Sequence, residues 1–154
     1  MGIAILSAGM RVKYCVETTS GTRPSAGFAA LPDIIEIPDL NPAPATHQTT
    51  TLDALKMHTY IAGLQDVGGA LTFNANDTIE LHAAWDAMYA AYETGKASDK
   101  DLWIEITFPD GRDSFYFTAI PTKYGFGGAQ VDSPVTTSVY LTPTNEPDFY
   151  TPST

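Results

Sequence analysis

Basic residues are scarce in this chain: eight Lys plus Arg stand against eighteen Asp plus Glu, a formal net charge of −10. Tight nucleic-acid binding rests on cations that displace phosphate counterions, so this scarcity argues against it. Arg11, Lys13, Arg23, Lys56, Lys96, Lys100, Arg112 and Lys123 are also scattered, and the close pairs Arg11 with Lys13 and Lys96 with Lys100 read as solvated surface. Cysteine is scarcer still. Cys15 is the only one, which excludes an intrachain disulfide framework and a thiolate zinc cluster. It sits in Val12-Lys13-Tyr14-Cys15-Val16, where alternation makes it a small packed strand residue rather than a reactive thiol. No run approaches the ~20 apolar residues of a membrane-spanning helix, and the apolar start at residues 1–6 has neither the charged flank nor the length of a signal peptide. The expectation is a protein made in the cytoplasm that stays soluble until it assembles, with no membrane partner.

Catalytic signatures are missing as well. There is no G-x-S-x-G elbow, Walker loop or dinucleotide fingerprint. The Gly-rich stretch Gly125-Phe126-Gly127-Gly128 lacks a following Lys-Ser/Thr and a following helix, so it reads as a bend or bulge. His82 and Asp86 are spaced to share a helix face, a faint metal signal that needs a further ligand, and His47 and His58 lie in separate segments. Asp99 with Asp101 and Asp110 with Asp113 occupy loop or turn positions, where turn formation and solubility account for them. No pair resembles two carboxyls tuned apart for acid and base work. The sequence therefore predicts no enzyme, no cofactor and no metal.

What is present is strand pattern. A chain of 154 residues, 44% of them apolar, fits one domain with a real core. Leu102, Ile104, Ile106 and Phe108 alternate with Trp103, Glu105 and Thr107, which predicts a strand with one apolar and one mixed side. Pro109-Asp110-Gly111 closes a short hairpin, and Phe115, Phe117 and Ala119 return opposite Ser114, Tyr116 and Thr118. Further strands are predicted over 10–17, 31–37, 46–52, 69–76 and 135–141, with Pro32 and Pro38 holding the second to a short or edge position. One helix is predicted, capped by Asp77 with Glu80 three residues on, stopped by Gly95, and striped by Leu81, Trp85, Met88 and Tyr92. Residues 1–9 read as an N-terminal arm and 143–154 as a loose C-terminal tail. The fold class is mainly β: an antiparallel sandwich or barrel with one flanking α-helix.

Residues 53–68 show no clean period yet carry much apolar surface, which is unusual in a long loop unless something covers it. The Thr-rich segments 46–52 and 134–142 are candidate sheet edges, whose unpaired N–H and C=O groups can template assembly. Self-association follows as the leading expectation: a head-to-tail contact between identical subunits closes into a ring when the rotation permits.

Several pieces then point further. Leu31-Pro32-Asp33, Ile37-Pro38-Asp39-Leu40-Asn41-Pro42, Thr50-Thr51-Leu52-Asp53, Thr59-Tyr60-Ile61-Ala62-Gly63-Leu64-Gln65-Asp66, the strand from Trp103 with Pro109-Asp110-Gly111, and Val135-Thr136 to Leu141-Thr142-Pro143 together resemble the major tail tube proteins of long-tailed phages. The resemblance spans roughly residues 10–145 and lies in the order and spacing of the pieces. The chain departs from the family pattern at Ala62, where proline is common, and at Ala54, where an acidic residue is common.

The resemblance implies a β-barrel-like subunit, six to a ring, stacked into the tail of a virion so that the genome passes through the lumen without specific DNA binding. It implies tape-measure and tail-terminator or distal tail proteins as partners. It also gives the acidity a purpose, since a ring of six would carry about −60 formally and repel the phosphate backbone. The loop 53–66 would stack one ring on the next, with Leu52, Leu55, Met57, Tyr60, Ile61 and Leu64 as contacts. Two alternatives stand beside it. One is a tube or terminator protein of a related contractile machine; the other is a carbohydrate- or host-binding β-module that uses Trp103, Tyr116, Tyr124 and Tyr140.

Overall fold

Where the sequence alternates, the backbone is extended. The computed structural model describes residues 6, 8–41, 44–52, 57–58, 60–65 and 69–154. Its elements in chain order are β1 (Arg11–Val16), β2 (Ala29–Leu31), β3 (Ile34–Glu36), β4 (Pro44–Gln48), β5 (Tyr60–Gln65), β6 (Leu71–Asn76), α1 (Ile79–Lys96), β7 (Leu102–Thr107), β8 (Ser114–Pro121), β9 (Thr136–Pro143) and β10 (Asp148–Tyr150). An eight-stranded antiparallel sheet runs in the order β2-β1-β7-β8-β9-β6-β3, with β10 added beside the start of β8, and β4 pairs with β5 alone.

The two ends of that order, β2 and β3, are consecutive in the chain and joined through Pro32 and Asp33, so the sheet curls until its ends meet as a half-barrel. Asp33 makes the corner at φ 61. Its carbonyl accepts the Asn76 N–H at 3.0 Å, and its carboxylate accepts the Thr78 hydroxyl at 2.6 Å. The expected single strand over 31–37 is thereby split in two, because Pro32 cannot donate to a ladder and the next residue turns.

Inside the curl, Val12, Phe73, Leu102, Ile104, Phe117, Val139 and Leu141 pack against Trp85 and Met88 of α1. Full burial of side chains of this size is worth about 1.5–3 kcal/mol each. The Trp85 indole keeps its hydrogen bond by donating to the Thr122 carbonyl at 2.7 Å.

The helix stripe falls as predicted, but both ends differ. Thr78, not Asp77, is the N-cap, and its hydroxyl accepts the Leu81 N–H at 3.1 Å. Gly95 is not the stop; it lies inside the helix, which runs on to an Ala97 cap. A Cβ at Gly95 would meet Val16 Cγ1 at 2.7 Å, so this glycine lets the helix approach β1. The positive φ that follows the helix belongs to Asp99 (55°).

Two further expectations are corrected. The segment over 134–142 is no edge, since β9 is hydrogen-bonded between β6 and β8. The C-terminal tail packs on the sheet: β10 pairs with β8, the Thr151 carbonyl lies 3.0 Å from the Tyr116 hydroxyl oxygen, and the Thr154 N–H donates to the Ser25 carbonyl at 3.2 Å.

Candidate assembly surface

The β4–β5 hairpin stands apart from the half-barrel. Every residue of β4 is exposed, and neither strand packs extensively on another described element. The expected strand over 46–52 thus begins earlier, ends earlier and has no buried side, while the expected loop over 53–68 contains the strand β5. Partners run Gln48 to Tyr60, His47 to Ile61 and Thr46 to Ala62, then slip so that Pro44 meets Gln65. The extra residue is in β5 beside Gly63, where a Cβ would come within 2.9 Å of His47 Nε2, so glycine admits the bulge. At the end joined by the connecting loop, His58 Nδ1 lies 2.8 Å from Gln48 Nε2 and 3.3 Å from Thr50 Oγ1.

Adjacent residues of a strand point to opposite faces. Tyr60 is 58% exposed and Ile61 56%, so neither face of the hairpin is covered. Leu64 is 90% exposed, and Leu52 and Met57 are exposed as well. Of the six residues proposed from sequence for stacking, Tyr60, Ile61 and Leu64 are exposed in β5, Leu52 and Met57 are exposed in the connection between the strands, and Leu55 lies outside the described residues. A lone two-stranded hairpin is marginal in water, and exposed apolar side chains on both faces add a demand for cover.

The other residues singled out by sequence are placed differently. Tyr116 is fully buried, and the Tyr124 hydroxyl donates to Asp77 at 2.8 Å, which removes both from a sugar-stacking row. His82 pairs with Asp86 at 3.2 Å and stacks on Tyr124 with ring centres 4.6 Å apart. Cys15 is half-buried, and burial pushes its thiol pKa up. Among the described residues no group of three or more His, Cys, Asp or Glu is placed to hold a metal ion, and no helix is long and apolar enough to cross a membrane.

Two buried carboxylates escaped sequence reasoning. Alternation puts Glu105 on the mixed face of β7, yet it is fully buried beneath the C-terminal segment. Its Oε2 accepts the Tyr116 hydroxyl at 2.5 Å and the Ser153 N–H at 3.0 Å, and its Oε1 accepts the Ser153 hydroxyl at 2.7 Å. Burial pushes the Glu105 carboxyl up, but these donors outweigh it and hold the pKa below the ordinary value. Burial, and then the bond to Glu105, push the Tyr116 phenol well above its ordinary range. Glu17, also buried, accepts N–H bonds from Thr22 at 3.0 Å and Asp101 at 3.2 Å, and Asp101 is raised by its own burial and then by the Glu17 charge. Both carboxylates tie loops to the sheet rather than line a cleft. The local sequence carried no signal for either, because Asp101 and Ser153, which cover them, lie far along the chain.

No family model matches the chain, and no curated protein matches it. A solved structure does: a chain of the anti-feeding prophage baseplate, determined by cryo-EM and sixfold symmetrised, aligns over 98% of its own length and 98% of this chain with a TM-score of 0.64 at 10% identity. At that identity the likeness establishes a common fold, extending over nearly the whole of both chains.

Proposed function

We propose that this chain is a structural, non-enzymatic subunit that assembles with copies of itself into sixfold rings, in the tube or baseplate of a tail-derived injection machine. The observation that carries it is the β4–β5 hairpin, with apolar side chains exposed on both faces and, among the described residues, no extensive packing against the half-barrel. An element of this kind is unfavourable on a solitary molecule and reasonable on one whose neighbours cover it.

The fold likeness to the baseplate of a sixfold particle favours the contractile-type machine over the tube of a long-tailed phage. In either setting the acidic chain would line a conduit that repels nucleic acid, and the protein would reside in the assembled particle. Tape-measure, terminator or distal tail proteins are the partners this role calls for. Leu52, Leu55, Met57, Tyr60, Ile61 and Leu64 are the proposed contacts between rings.

Negative-stain electron microscopy of concentrated protein tests this. Rings or stacked tubes with six subunits per turn are expected; tubes indicate a tube subunit, and single rings a terminator or baseplate part. Particles the size of one chain under all conditions would overturn the assembly, and tight retention of duplex DNA at physiological salt would contradict a conduit.

A further inference from the structure

We infer that the apolar groove beside the β7–β8 turn receives the β4–β5 hairpin of a second copy of this chain, an inference that rests on the self-assembly proposed above. The groove has a volume of about 590 Å³. Met10, Ile37, Leu40, Phe108, Phe115 and Phe149 line it. Phe149 stands at its mouth, 51% exposed, with its ring centre 5.0 Å from that of Phe115 and 6.3 Å from that of Phe108.

The volume would suit a small ligand, for which about 300–1,000 Å³ is usual, but a small-molecule site needs polar groups converging inside it. Here Asn41, Glu146 and Asp148 are the polar side chains among the lining residues, two of them acidic. A groove of this kind matches an apolar segment free of excess negative charge. In a chain of net charge −10, residues 44–65 carry one acidic residue, Asp53, one basic residue, Lys56, and two histidines, His47 and His58. This segment can therefore approach another copy without the like-charge repulsion that the rest of the chain would meet.

The hairpin leaves the chain next to the groove, since Asn41 lines it and β4 begins at Pro44, yet no described residue of β4 or β5 lines it. Each subunit thus presents one apolar projection and one apolar recess that do not meet among the described residues. A projection on one copy seated in the recess of the next is a heterologous contact, which closes into rings or propagates as stacks.

Two variants test the pairing. Leu64→Asp spoils the hairpin and leaves the groove intact; Phe149→Asp spoils the groove and leaves the hairpin intact. Each alone is expected to associate at least about tenfold more weakly than wild type, because the contact would bury an unpaired carboxylate. Rings of the two variants, mixed in equal amounts, retain one face of good hairpins and one face of good grooves between them, so sedimentation velocity should show a pair of rings that grows no further.

If wild type assembles and Phe149→Asp assembles equally well, the groove is not the receptor and the ring assembly stands. A mixture that forms no ring pairs while wild type stacks likewise overturns the pairing. Absence of assembly in wild type defeats the ring proposal itself. Circular dichroism checks the folding of each variant, and Leu40→Asp on the groove wall replaces Phe149→Asp if that change unsettles β10.

Discussion

Glu105 shows how one side chain can bind a chain terminus to a sheet. It lies directly opposite Tyr116 in the β7–β8 register, and its two oxygens collect the Tyr116 hydroxyl and both donors of Ser153. A buried acceptor with charge-assisted bonds is costly to weaken, so Glu105→Gln should destabilise the fold by about 1–3 kcal/mol in chemical denaturation. The pH dependence has a definite sign. With its folded pKa held below the ordinary value, Glu105 contributes its full stability above the unfolded Glu value of about 4.3. That contribution is lost as pH falls through the lower folded value. Wild type should therefore lose stability in acid, and Glu105→Gln should lose less over the same interval. An identical acid profile for the two proteins would mean that the network does not hold the tail. None of this is legible in the strand pattern, because alternation places Glu105 on the second face of β7 without telling what covers that face.

At the scale of elements, patterns that depend on near neighbours are readable in the sequence and those that depend on distant ones are not. Leu71, Phe73 and Ala75 are buried on one side of β6 as their spacing predicts, and Leu81, Trp85 and Met88 are buried along α1. Gly111 closes the β7–β8 hairpin at φ 79. The helix end is misread because glycine has two uses: Gly95 suggests a left-handed stop, whereas here it makes room for Val16. The two readings diverge under substitution. Gly95→Ala in an ordinary exposed helix gains up to about 1 kcal/mol of propensity, but forcing a methyl against Val16 and the Lys100 carbonyl costs about 1–3 kcal/mol. Thermal unfolding should show net destabilisation, and a stabilised variant would contradict the close approach. β5 is misread for another reason: its alternation is short, interrupted by the bulge at Gly63, and has no buried face to mark it.

For the whole molecule, the mainly-β class with one helix follows from strand and helix periods alone, but the curling of the sheet does not. Closure depends on Asp33 turning the chain between β2 and β3 and on its bonds to Asn76 and Thr78, contacts that span the sequence. The same closure covers β9 and leaves the β4–β5 hairpin as the unsupported apolar element. Sequence pointed to that surface through its density of Leu, Met, Tyr and Ile in a region without period. The central claim is that this surface exists for other copies of the chain. Leu64→Asp is expected to leave monomer stability within about 0.5 kcal/mol, because the side chain is 90% exposed. Sedimentation velocity over a wide range of protein concentration, wild type beside Leu64→Asp, tests the claim most directly. Wild type should shift past single rings to larger species as concentration rises while the variant stops at single rings; a wild-type monomer unchanged at every concentration would contradict it.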